Sequence, residues 1–303
     1  MISSPPEFTT RAVQPADAEA VLELVNALDE RLGAGLDLTL DDIREAWRWV
    51  DLERDLWAWN HDDRLAAFAI QRSRAGELSV NGFVHPDFHG RGLGTTILRV
   101  TEARARERGA AKLDNGILAA DRAAAALLEA NGYRDVRHYY RMTIEMDEPP
   151  PVPQWPEGLE PRPFEIEHAR AFYAADDEAF ADERGYVTQP FEEFVERWIE
   201  GPRFDAALWT AVWDGDEIAA TLIADQSFGA GWVAALSVRR PWRRRGLGLA
   251  LLLRAFGQFY ERGERRVSLS VDTENPTGAT RLYERAGMRV EHEEVLYEKE
   301  LGP

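Results

Sequence analysis

The chain of 303 residues contains no cysteine. That excludes disulfides, a thiolate nucleophile and any cysteine-based metal site. Long apolar runs are missing too. Hydrophobic residues make up 45% of the chain, yet no run approaches the ~20 residues that a membrane-spanning helix needs. Six histidines, His61, His85, His89, His138, His168 and His292, are scattered along the chain, so no metal site is expected. Positive charge is scarce: 36 Lys and Arg stand against 54 Asp and Glu, a net charge of −18. A general nucleic-acid binder needs a basic face, and this balance argues against one. It fits a cationic partner, and equally plain solubility. The opening Met1-Ile2-Ser3-Ser4-Pro5-Pro6 has no basic or apolar leader pattern, so no export signal is read and a cytoplasmic location is expected.

What the chain does contain is a concentrated signal around residues 236–250. A β-rich run from Trp232 to Val238 ends at Pro241; Arg243-Arg244-Arg245-Gly246-Leu247-Gly248 then leads into a helical pattern from Leu249 to Arg262. The order predicts a strand, a turn and a helix N-terminus. Free N–H groups and the positive dipole end of such a helix bind anions. Gly246 and Gly248 let a pyrophosphate approach the backbone with no Cβ in the way, and Arg243, Arg244 and Arg245 add attraction for phosphate. Taken alone, the stretch also reads as an arginine-rich turn before an amphipathic helix. About thirty residues later, Val267 to Val271 reads as a strand, followed by Asp272-Thr-Glu-Asn275-Pro-Thr-Gly-Ala279 and Leu282-Tyr283-Glu-Arg-Ala-Gly287-Met288.

The Arg-x-x-Gly-x-Gly spacing resembles the acetyl-CoA signature of the GNAT acyltransferase superfamily. The later stretch resembles that family's second motif, an Asn opening a helix followed by Leu-Tyr-x-x-x-Gly-Met. The resemblance implies an α/β (α+β mixed sheet) fold with a mixed, mostly antiparallel sheet flanked by helices. It implies acetyl-CoA as cosubstrate, held where two parallel strands splay apart. An acceptor amine then attacks the thioester directly, which needs no covalent enzyme intermediate. A backbone N–H of the first splayed strand, Trp232 to Val238, polarises the thioester carbonyl. Matched residue by residue, Leu236, Ser237, Val238, Arg243, Arg244, Arg245, Gly246, Leu247, Gly248, Leu249 and Asn275 are expected to contact acetyl-CoA, and Tyr283 to protonate the leaving thiolate.

Along the chain, Phe8 to Val13 reads as a strand. Ala16 to Leu32 and Asp41 to Asp51 read as helices, the second capped by Thr39. Strands follow at Leu56 to Asn60, Leu65 to Arg72 and Leu78 to Val84, then a helix from Thr95 to Arg108, an extended piece from Lys112 to Leu118, a helix from Arg122 to Ala130 and a strand from Tyr139 to Met146. The proline-rich stretch Asp147 to Pro156 breaks both periodicities and reads as a linker. The order then repeats: a strand from Leu159 to Phe164, helices from Glu167 to Phe180 and Phe191 to Ile199, and strands from Ala207 to Val212 and Glu217 to Ala224. The repeat holds a nearly constant offset: Leu65 to Ile218 is 153 residues, Gly92 to Gly246 is 154 and Gly132 to Gly287 is 155. The expectation is a tandem protein, distantly similar to mycothiol synthase, with GNAT-like domains at 1–147 and 158–303 around a linker at 148–157.

The first copy is degraded. Val84, His89, Gly90, Arg91, Gly92, Gly94 and Thr95 keep a phosphate turn, but Leu128 stands where Tyr283 stands in the second copy, and leucine donates no proton. Catalysis is therefore expected in the C-terminal copy. Candidates for the base that takes the amine proton are Asp225, Glu183, Asp272 and Glu274, each also readable as a solvated carboxylate or helix cap. Trp232 occupies the position where mycothiol synthase has a glutamate, a departure that bears on the acceptor. The segment from Asp176 to Glu200 is rich in acid, which suits a cationic amine or two exposed helix faces. The expected activity is acetyl transfer from acetyl-CoA to a primary amine of a small cationic molecule, by a monomer or homodimer without nucleic acid or membrane. The rivals are a non-catalytic acetyl-CoA-binding module and an acetyltransferase of a protein or peptide amine.

Overall fold

A computed structural model describes residues 5–302 apart from 36, 75, 76, 184 and 276. Two compact units emerge: Met1–Tyr140 with Glu291–Pro303, and Arg141–Val290. The first contains β1 (Thr9–Arg11), α1 (Ala18–Leu32), α2 (Leu40–Trp47), β2 (Leu56–His61), β3 (Arg64–Arg74), β4 (Glu77–Val84), α3 (Leu93–Glu107), β5 (Lys112–Leu118), α4 (Arg122–Ala130) and the start of β6 (Arg134–Glu145). The helices form where the sequence places apolar stripes. Val21, Leu24, Val25 and Leu28 line the buried face of α1, and Thr39 caps α2 through a reciprocal bond with Asp42.

The second unit repeats the plan with β7 (Leu159–Pro163), α5 (Ala169–Phe180), α6 (Phe191–Phe194), β8 (Thr210–Asp214), β9 (Glu217–Ser227), β10 (Ala230–Val238), α7 (Leu247–Glu261), β11 (Arg266–Asp272) and α8 (Ala279–Arg285). Its centre is β9, whose residues 218–224 are all buried between α5 and α7. The stripe Leu251, Leu252, Ala255, Phe256 and Phe259 packs α7 onto the sheet. Gly231 makes that packing possible: a Cβ there would stand 2.8 Å from the Phe259 ring. The expected helix over 191–199 keeps α-geometry only to Phe194 and closes with a π-turn from Val195 to Ile199.

The two units part after Tyr140 and after Val290, beside the stretch at residues 148–157 that the sequence marks as a linker. That stretch lies within the second unit. The C-terminal strand β12 (Arg289–Glu300) instead completes the first unit's sheet, running antiparallel to β5 over the seven pairs from Glu294↔Leu118 to Glu300↔Lys112. The order there is β1-β2-β3-β4-β5-β12. The later part of β6 serves the second unit, ordered β6-β11-β10-β9-β8-β7, where Thr143 Oγ1 meets Ser268 Oγ at 2.8 Å. Each repeat thus lends its last strand to the other's unit, a pairing set by long-range partners that local periodicity does not report.

Candidate active site

In the second unit, β10 and β11 run parallel but pair only at Gly231↔Val267 and Trp232↔Ser268. Beyond that point the ladder ends, so the β10 backbone groups directed at β11 have no strand partner. The register of β10 against β9 slips between Val233 and Ala235, a bulge at the point where the strands part. The gap leads to the turn before α7. Gly246 adopts φ 93° there, with no atom within 4 Å of where a Cβ would stand. Ala250 N–H bonds Gly246 O at 3.1 Å as the first i→i−4 bond, so Leu247, Gly248 and Leu249 carry the helix's orphan amides. Arg244 and Arg245 are exposed and make no hydrogen bond or ion pair among the described residues. A gap between strands that ends at an open glycine turn fits the acyl arm and pyrophosphate of acetyl-CoA.

Arg243 makes three hydrogen bonds within the protein. Its Nε donates to Val238 O at 2.9 Å, Nη2 to Ala179 O at 3.0 Å and Nη1 to Asp182 at 2.7 Å. The guanidinium clamps the turn to the end of β10 and to α5. Arg240 also grips Asp182, and the two arginines, Arg240 first, hold that carboxyl well below the usual carboxylate range. In the first unit His89 does the same job in simpler form, its ring Nε2 lying 2.9 Å from Val84 O. The histidine is a structural stand-in at this position.

Around the mouth of the gap the structure gathers Asn275, Glu183 and Tyr283. Asn275 Nδ2 donates to Glu183 Oε1 at 3.0 Å, while its carbonyl oxygen accepts from Thr277 N–H at 2.9 Å. Asn275 therefore braces a turn; α8 itself opens at Gly278. Pro276 of the same motif lies outside the described residues. Tyr283 is 8% exposed and makes no hydrogen bond among the described residues. Burial, then the charge of Glu183, pushes its hydroxyl pKa far up, so it stays protonated at neutral pH. Asp225 is not part of this group. It pairs in register with Trp232 and accepts from Ser227 Oγ at 2.6 Å, four residues or about 13 Å along β9 from Thr221.

Sequence reading missed the carboxyl at the centre. Asp176 of α5 accepts from Thr221 Oγ1 at 2.7 Å, and Thr221 Oγ1 meets Ser237 Oγ at 2.6 Å. Burial raises its pKa to about 6 against the pull of those two hydroxyls, with Asp177 and Glu183 adding to the rise. Next to it, Asp177 accepts from Tyr186 at 2.8 Å and Thr188 at 3.3 Å. In sequence Asp176 was one acid among nine; only the register of β9 on β10 singles it out.

The first unit keeps the outline and loses the working parts. Ser79↔Asp114 and Val80↔Asn115 repeat the brief parallel pairing, but β3 and β4 run in unbroken register with no bulge. Asn81 Nδ2 donates across the parting strands to Gly116 O at 3.2 Å. Gly92 keeps φ 83°, yet Pro5 Cγ lies 3.5 Å from its Cβ position and Glu7 sits 3.7 Å from Arg91. Gly90 is open, Gly94 abuts Leu127, and Thr95 is exposed at the helix start. Leu128 is buried in an apolar cluster where Tyr283 stands in the second unit.

A sheet parted at two parallel strands, with a glycine turn opening a helix beneath the gap, defines an acyl-CoA-dependent acyltransferase. The sequence profile of the acetyltransferase (GNAT) family matches the chain twice, at residues 21–133 and 167–288, and the chain belongs to that family. It is a tandem member and an N-acetyltransferase by family. A mycothiol acetyltransferase of Thermobispora bispora is 33% identical over 94% of this chain and 97% of its own. The crystal structure of a GCN5-related N-acetyltransferase from Sphaerobacter thermophilus superposes with TM-score 0.89 at 39% identity, covering 99% of this chain and 98% of that one. A tandem GNAT protein from the clavulanic acid biosynthesis pathway shares the fold, with TM-score 0.75 at 16% identity over 98% and 99% of the two chains. No helix among the described residues is long and apolar enough to cross a membrane.

Proposed function

We propose that the second unit transfers the acetyl group of acetyl-CoA to the primary amine of a small cationic molecule, and that the first unit does not catalyse. The observation that carries this reading is the bulge of β10 at the parting of the strands, with the unbonded hydroxyl of Tyr283 in the same unit and neither feature in the first. The bulge frees a backbone N–H to meet charge developing on the thioester oxygen. Gly246 and the amides of Leu247 to Leu249 take the pyrophosphate, with Arg244 and Arg245 drawing it in. Tyr283, kept protonated by burial, gives its proton to the departing thiolate. Asp176, Asp177 and Glu183 make the acceptor side negative and favour a cationic amine.

The likeness to mycothiol acetyltransferases supports a mycothiol-type acceptor within this class, although Trp232 takes the place where a glutamate was expected. The test is acetyl-CoA-dependent thiol release with a panel of amines: amino sugars, aminoglycosides, short peptides and mycothiol lacking its acetyl group. The chain's lack of cysteine keeps the protein's own thiol background low. Acceptor-dependent release with Tyr283→Phe inactive and Leu128→Ala active is the expected result. Tight acetyl-CoA binding without release to any acceptor would overturn the reading and leave a binding module.

A further inference from the structure

The duplication supplies an internal control for Asp176. α1 and α5 each start after a single 3-10 turn, at Ala18 and Ala169, which aligns Val25 with Asp176. Ala67↔Val84 corresponds to Ala220↔Val238 at the strand ends, so Phe68↔Phe83 corresponds to Thr221↔Ser237. In the first unit Val25, Phe68 and Phe83 pack in one hydrophobic cluster. The same three places in the second unit hold a carboxylate and two hydroxyls in hydrogen-bond contact. Apolar packing is what this helix–sheet seam accepts by default. A carboxylate taken from water costs stability there, and three coordinated polar replacements point to chemistry.

We propose that Asp176 is the sink for the acceptor's ammonium proton, reached through the hydroxyls of Ser237 and Thr221 in turn. The proposal rests on the acetyltransferase reading above. Ser237 lies on β10 beyond the bulge, on the stretch where the strand has left β11. The ammonium gives one proton to Ser237 Oγ as Ser237 passes its own to Thr221 Oγ1 and Thr221 passes its own to Asp176, leaving a neutral amine and a protonated carboxyl. The amine attacks the thioester, the C–S bond breaks, and the thiolate takes the Tyr283 proton. Tyr283 recovers the second amine proton, and Asp176 later releases the first to solvent. The net change is ammonium plus thioester to amide, thiol and one proton.

The electrostatics fit this role. Asp177, with its Tyr186 partner, and Glu183 from the loop after α5 face the carboxyl with like charge. Asp182 is neutralised by Arg240 and Arg243, and Glu178 by Arg239, so no arginine is left to hold Asp176 ionised. A carboxyl titrating at about 6 is ionised at pH 7.5 and still basic enough to accept a proton.

Because Asp176 acts through Ser237, it is a positioning residue for proton transfer, and its test must separate that from fold. Acetyl transfer from acetyl-CoA is measured to glucosamine and to hydroxylamine, which is already neutral at pH 8. The proteins are the wild type, Asp176→Asn, Asp176→Val and Ser237→Ala. With Asp176→Asn, kcat/KM for glucosamine falls about 100-fold and the acid limb of its pH profile near 6 disappears. The loss with hydroxylamine stays within about 5-fold, and calorimetric acetyl-CoA affinity is unchanged. Carbon-13 NMR of the wild-type Asp176 carboxyl shows titration near pH 6. Equal losses for both acceptors, an unaltered pH limb, a fully active Asp176→Val protein or an NMR midpoint below 5 would each overturn the proposal. A wild type that acetylates no amine at all would sink the acetyltransferase reading first, and this one with it.

Discussion

Replacing Arg243 by alanine separates a clamp from a phosphate ligand. Two of its donors end on backbone carbonyls, Val238 O at 2.9 Å and Ala179 O at 3.0 Å. Hydrogen bonds from a charged donor contribute about 1.5–3 kcal/mol each. The side chain is 26% exposed, so solvent screens part of that, and about 3 kcal/mol is the expected loss once both carbonyls return to water. For a unit of this size that lowers Tm by roughly 6–12 °C. Arg244→Ala and Arg245→Ala remove no bond within the protein, so each leaves Tm within about 1 °C. They instead raise the KM for acetyl-CoA by roughly 3–10-fold, an effect that shrinks in high salt. Scanning calorimetry with acetyl-CoA saturation kinetics on the three variants decides. An unchanged Tm with a large KM effect for Arg243→Ala would refute the clamp and restore the phosphate ligand.

Three further outcomes follow from the geometry. Tyr283→Phe keeps the packing of α8 and removes the proton donor, so kcat falls about 100-fold while acetyl-CoA affinity by calorimetry holds. Asp176→Val stabilises the protein in basic solution. The carboxyl's folded pKa of about 6 lies above its ordinary 3.8, so wild-type stability declines as pH rises from 4 to 6 and stays reduced above; the variant therefore gains about 2–3 kcal/mol at pH 8 and nothing near pH 3 in chemical denaturation. Deleting residues 291–303 removes seven strand pairs with buried Val295, Tyr297 and Leu301, roughly 5–8 kcal/mol and comparable to a domain's whole stability. Limited proteolysis should then cut within residues 5–140, and a protected fragment from that region would contradict the pairing.

The sequence announced those parts of the fold that are local. The glycine turn before α7 was readable because a left-handed residue at a helix start calls for glycine, and Gly246 at φ 93° fills that need. The two copies were readable from their constant offset, and Leu128 opposite Tyr283 already marked which one lacks the acid. Three things were not readable, each for a physical reason. Arg243 sits in a phosphate motif, but its carbonyl partners come from α5 and β10, sixty-four and five residues away. Asn275 looked like a helix opener, whereas Glu183, ninety-two residues earlier, takes its amide. Asp176 becomes special only when a one-residue slip in β10 sets Thr221 opposite Ser237. Asp225, one of four candidate bases, accepts from Ser227 Oγ and pairs in register with Trp232.

The exchange of last strands has a consequence for biosynthesis. When the ribosome has finished residues 1–140, the first unit's sheet still lacks β12, whose partner strand β5 was made more than 170 residues earlier. Until residues 291–303 emerge, the edge of β5 stands open, a template for wrong pairing. Closure across so long a loop is slow, so the first unit is expected to be the last to mature. A gene cut at the proline-rich stretch, the natural place to split two ordinary domains, would give two fragments that each lack a strand. Duplication made the copies alike; trading strands has made them inseparable.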